Sequence, residues 1–104
     1  MEYFTSAANW WKGKIRELNP DISFDLIEKF GNILESTIKS QVAVMGTMTI
    51  SDTPDSIYVL GNVAKECGIP TDGFTGHTIM YIDPNKVSVA DTASPELTTI
   101  FTTK

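Results

Sequence analysis

The sequence predicts an α+β domain: a helical hairpin and a third helix packed on a small, mostly antiparallel sheet that ends in a β-hairpin. Three observations predict it. Two segments within residues 1–40 repeat apolar side chains at three- and four-residue spacing, the period of a helix with one buried face. Residues 78–89 read Thr-Ile-Met-Tyr-Ile-Asp-Pro-Asn-Lys-Val-Ser-Val, two β-rich runs around an Asp-Pro-Asn-Lys turn. A length of 104 residues suits one domain with a modest core and no need of a disulfide or metal, so residues 1–104 are read as a single unit.

The first helix is expected over residues 5–18. Phe4, Ala8, Trp11, Ile15 and Leu18 form its apolar stripe. Asn19-Pro20 ends it, because a residue before proline is pushed out of the α region. The second helix is expected over 24–40. Ser23 is the N-cap, with its hydroxyl accepting from an amide of the first turn, and Ile22 and Ile27 have the spacing of a hydrophobic staple. Ile27, Phe30, Leu34 and Ile38 make its buried stripe, which Leu26 and Ile33 widen. The short joint between the two helices favours an antiparallel hairpin.

Residues 42–51 change period. Val42, Val44, Met48 and Ile50 alternate with Ala43, Met45, Thr47 and Thr49, as in a half-buried strand. Gly46 interrupts the run, which implies a bulge or a late strand start. The third helix is expected over 54–67, with Thr53 as cap and Pro54 at the first helical position. Its inward face is Ile57, Leu60, Ala64 and Cys67. Gly68 fits the left-handed position after the helix, with Ile69 folding back on Ala64. A loop follows over 70–76. The hairpin strands are expected at 77–82 and 86–91, with Asp83 and Pro84 opening a type I turn. In the Thr-rich tail, Leu97, Ile100 and Phe101 either add a short edge strand or leave the tail loose.

Charge and composition exclude several classes. A net charge of −5 argues against nucleic-acid binding, which rests on Lys and Arg at phosphates. Residues 1–18 hold three cations against two anions and the rest five against eleven, so the acidity is spread without a dense run. That pattern reads as a solvated surface. No stretch approaches the roughly 18 apolar residues of a membrane span. The single Cys67 forms no internal disulfide, and with no secretory leader at the N-terminus the expected setting is cytoplasmic and reducing.

Motifs that carry chemistry are few. Cys67 and His77 are the only Cys–His pair, but Cys67 falls at a helix C-terminus, where the dipole opposes a thiolate. A buried, inert thiol is the simpler reading. His77 alone makes no metal site, and no cofactor is implied. Asp52, Asp55, Asp72 and Asp83 sit where turn and cap chemistry explains them. The aromatic residues are more informative. Trp10 and Trp11 are adjacent and cannot share a helical face; Trp11 belongs to the core stripe, while Trp10, Tyr3 and Ala7 flank it. The flanking stripe either covers the sheet edge or offers an anchor to a partner protein. On the hairpin, His77, Ile79 and Tyr81 share one face and Thr78, Met80 and Ile82 the other. Both faces are partly apolar. One lies on the helices, and the other is covered by the tail, a second copy of the chain or a partner.

Gly68-Ile69-Pro70, followed by Thr78-Ile79-Met80-Tyr81-Ile82-Asp83-Pro84 and Val87-Ser88, resembles the antiproliferative BTG/Tob domain family. That family has Gly-Leu-Pro after its third helix, then a strand ending in Trp-Val-Asp-Pro and continuing to Glu-Val. The order helix, helix, strand, helix, hairpin also agrees, over most of residues 4–91. The resemblance implies a non-enzymatic adaptor. Members bind an mRNA deadenylase subunit through the strand tryptophan and a loop before the middle strand. Tyr81 stands at that tryptophan, with Asp83 and Pro84 after it. Two departures separate this chain from the deadenylase partner: tyrosine replaces tryptophan, and the segment that would hold the loop motif is much shorter.

The leading functional expectation is a non-catalytic protein-interaction module, adaptor or inhibitor-like, whose contact residues include Tyr81, Met80, Trp10, Asp83 and Pro84. Two alternatives stand beside it. One is a homodimer closed through the open hairpin face. The other is a small enzyme or ligand-binding domain near Cys67, His77 and the 70–76 loop.

Overall fold

The computed structural model describes residues 2–52, 58–69, 78–91 and 94–103. In chain order the elements are α1 (Tyr3–Leu18), α2 (Phe24–Met45), β1 (Met48–Ser51), α3 (Tyr58–Cys67), β2 (Thr78–Asp83), β3 (Lys86–Asp91) and β4 (Ser94–Thr102). The strands form one antiparallel sheet whose spatial order is the chain order, β1-β2-β3-β4. One core joins the helices to one sheet face: Trp11 and Ile15 of α1, Phe30, Leu34 and Ile38 of α2, and Leu60 and Ala64 of α3 meet Met48, Ile50, Met80, Ile82, Val87 and Val89.

Helices α1 and α2 are antiparallel, as two contacts in descending order show. Thr5 Oγ1 donates to Glu35 Oε1 at 2.9 Å, and Lys12 Nζ lies 2.9 Å from Glu28 Oε1. Gly31 is buried between the helices, where an added Cβ would collide with the aliphatic stem of Lys12. The missing side chain lets Lys12 lie across α2 on its way to Glu28.

Several expectations are corrected. Residues 42–45 belong to α2 and not to a strand. Val42 lies four residues after Ile38 and is buried with it, so the helical stripe continues through a segment that also alternates. Gly46 ends the helix at φ 84°, its N–H donating to Val42 O at 2.8 Å, and β1 starts two residues later. The late strand start is therefore the correct alternative. Ser23 is the backbone N-cap, but its hydroxyl makes no capping bond. Leu18, assigned to the α1 stripe, is exposed. Of the two alternatives for the tail, residues Ser94–Thr102 take the edge strand: β4 pairs with β3, with shifts beside Val87/Ser88 and Ala90/Asp91.

The end of α3 matches its sequence signature. Gly68 has φ 75°; its N–H donates to Lys65 O at 3.2 Å and that of Ile69 to Ala64 O at 2.8 Å, the paired bonds of a Schellman stop. Thr53, Pro54, Ile57, the 70–76 loop and His77 lie outside the described residues.

Candidate interaction surface

Strand β2 sets the surface. Its alternation puts Thr78, Met80 and Ile82 into the core and turns Ile79 and Tyr81 the other way. Tyr81 is 47% exposed. Cross-strand register carries this division over the whole sheet. On the outer face one row runs Thr49, Tyr81, Ser88, Thr99, and the next runs Ser51, Ile79, Ala90, Leu97. Leu97 is 57% exposed, so the second row ends in an uncovered apolar side chain. Small residues on β3 lie between larger ones on β2 and β4, which leaves Tyr81 standing above its neighbours.

Ser88 forms the floor beside Tyr81. It is only 4% exposed, and among the described residues its hydroxyl has no hydrogen-bond partner. Two residues further along β2 the Asp83–Lys86 pair closes the hairpin. Asp83 Oδ1 accepts from the N–H of Asn85 at 2.7 Å and of Lys86 at 2.8 Å. Neither Pro84 nor Asn85 takes a positive φ, as a type I turn requires. Asp83 thus serves the turn, and Pro84 is exposed on it.

The structure does not bring all five expected contact residues together. Tyr81, Asp83 and Pro84 are neighbours at one end of β2. Met80 is wholly buried in the core on the opposite face, so it leaves the contact set. The reason is the two-residue period of the strand: if Tyr81 faces solvent, Met80 faces the helices. Trp10 belongs to the helical layer. It is half-buried against the core, meets Trp11 edge-to-face at 4.8 Å, and has Lys14 Nζ 5.3 Å from its ring centroid. It shares no surface with Tyr81.

The remaining chemistry-bearing residues have structural surroundings. Cys67 is buried, and burial pushes its thiol pKa up; Lys29 opposes the shift and Glu66 adds to it. Asp52 is buried too. Its Oδ1 accepts the Thr78 N–H at 2.7 Å while its own N–H donates to Thr78 O at 3.1 Å, joining the end of β1 to the start of β2. No group of three His, Cys, Asp or Glu is placed to hold a metal among the described residues. No described helix is long and apolar enough to cross a membrane.

Sequence reasoning missed the end of α2. Val44 and Met45, which the alternating pattern places in a half-buried strand, are exposed in the last turn of α2, near the turn into β1. The Ile38–Val42 spacing and Gly46 together carried the signal for a longer helix.

A sheet in chain order, covered on one face by a helical hairpin and a third helix, is the architecture of the BTG/Tob domain. The chain superposes on the BTG/Tob domain of C. elegans FOG-3 with a TM-score of 0.79, covering 98% of this chain and 90% of that one at 19% sequence identity. At that identity the likeness establishes the fold. No protein-family model matches the sequence, and no curated protein matches it.

Proposed function

We propose that this chain is a non-catalytic protein-interaction module, adaptor or inhibitor-like, that contacts another protein through the outer sheet face around Tyr81, with Asp83 and Pro84 at its end. The observation that carries this reading is a large aromatic side chain left half in solvent on a sheet face whose next row holds Ile79, Ala90 and Leu97. Tyrosine in such a setting supplies much contact area for little conformational entropy, which is why it recurs among interface anchors. The BTG/Tob-type fold supports the reading, since the family resemblance puts its partner contact at the position of Tyr81. A net charge of −5 supports a protein partner over nucleic acid.

A catalytic role near Cys67 gains no support. The thiol is buried and its ionisation is disfavoured, the reverse of what a nucleophile needs.

Affinity capture from the source cells tests the proposal, with wild type and Tyr81→Ala as parallel baits. Tyr81→Ala is expected to keep its melting temperature and to weaken partner binding by about 2 kcal/mol. If the variant unfolds, Tyr81 is structural. If wild type recovers only itself and its melting temperature rises with concentration, the outer face closes a homodimer instead.

A further inference from the structure

Gly13 lies in the interior of α1, and the described residues supply no reason for glycine there. It does not have the positive φ that favours glycine at Gly46 and Gly68, and a Cβ built on it would meet nothing within 4 Å. Glycine is the poorest helix former after proline, so an exposed mid-helix glycine weakens α1 for no internal return. Gly31 provides the contrast, because its side chain is excluded by the Lys12 stem.

Around Gly13 is a groove of about 240 Å³ between α1 and α2. Asn9, Gly13 and Arg16 line one side, at helical spacings of four and three; Phe24, Ile27 and Glu28 line the other. Phe24 is 62% exposed at the rim. Lys12 also lines the groove and is held by Glu28. Arg16 is exposed and makes no salt bridge among the described residues. The walls therefore carry a net positive charge on a chain of net charge −5.

We propose that this groove receives an amphipathic helix of a partner protein, crossing α1 at Gly13, with an apolar side chain on Phe24 and a carboxylate on Arg16. Two antiparallel helices leave a furrow that fits the side-chain ridge of a third helix. A glycine at the crossing lets the two backbones approach more closely than any side chain would. Charge favours a foreign helix over a second copy presenting the same face, since that copy would set Arg16 and Lys12 against like charges. The site lies in the helical layer, apart from the outer sheet face, and does not depend on the role of Tyr81.

The test is selection of displayed helix-forming peptides of about 20 residues, long enough to hold a helix, on the intact chain. Binders are expected to combine apolar residues at i, i+4 spacing with Asp or Glu. Their affinity is expected to fall about tenfold or more with Gly13→Leu and with Arg16→Glu, and to be unchanged by Tyr81→Ala. A peptide whose acidic residue is changed to Lys should regain affinity for Arg16→Glu. Gly13→Ala is expected to raise the melting temperature by several degrees, because α1 gains helix propensity in open space. A fall instead would show that the chain itself needs this glycine and would overturn the proposal. So would a library yielding no binder sensitive to Gly13→Leu. Self-association of wild type that Gly13→Leu abolishes would make a second copy the occupant, and would overturn it equally.

Discussion

Ser88 shows how a small side chain can carry a cost that its neighbours conceal. Its hydroxyl is buried between Tyr81 and Thr99 without a hydrogen-bond partner among the described residues, and desolvating an unpaired hydroxyl opposes folding by about 1–3 kcal/mol. Ser88→Ala removes the polar atom and leaves the Cβ in place, so it is expected to raise the melting temperature, as thermal denaturation followed by circular dichroism would show. A clear drop would mean that the hydroxyl is satisfied in solution. Cys67 lends itself to a second residue-scale prediction. Because its folded thiol pKa is raised, the unfolded chain loses the proton first as pH climbs through the free-thiol range. Stability is therefore expected to fall across that range and beyond, and Cys67→Ala to flatten the decline. Native alkylation should be slow at neutral pH and fast only in denaturant; rapid labelling of the folded chain would refute the burial argument. The sequence made the fate of Cys67 legible, since its place at the end of an amphipathic helix is itself the argument. It could not show that Met80 and Tyr81 part company in that direction, because both hairpin faces carry apolar residues and only the packed helices decide which is inside.

Among the elements, α2 is the instructive one. The alternation over residues 42–51 is equally compatible with a strand and with the last turn of a helix that keeps only Val42 inside. Tertiary packing on Ile38 and the stop at Gly46 decided the outcome. Gly46→Ala is expected to destabilise the chain by about 1–2 kcal/mol, the cost of a Cβ in the left-handed region. For a domain of this size that lowers the melting temperature by about 4–8 °C per kcal/mol. Gly13→Ala, in an element of ordinary helical geometry, is expected to move it the other way; equal effects from the two would contradict the conformations described. By contrast, the stop at Gly68-Ile69 and the Asp83-Pro84 turn were legible in detail, because each rests on backbone rules confined to a few residues. Strand β4 was legible only as an alternative. An edge strand of mixed Thr, Leu and Phe carries little alternation of its own, and β3 supplies its register.

For the whole molecule, the α+β architecture followed from periodicity alone, and its radius of gyration of 12.8 Å is that of a close-packed chain of this length. Function was less legible. Periodicity distinguishes inside from outside, whereas an interaction surface is defined by what the interior leaves uncovered. Tyr81 was read as a candidate, yet its isolation from Trp10 depends on the helices lying on one side of the sheet. The Gly13 groove was invisible in sequence, since a glycine in a helix acquires meaning only once the space around it is known to be empty.

The agreement of spatial and chain order in the sheet has a further consequence. Strand β4 stands at an edge, joined to the rest by β3 and by the flank of α1. The chain can be divided between β3 and β4 without severing any helix or any other strand pair. The shorter piece is then an extended ligand for the longer one, and the molecule carries its own template for donor-strand exchange: Phe101, opposite Val87 and packed against the core, marks a side chain that a substitute segment must offer on the inner face.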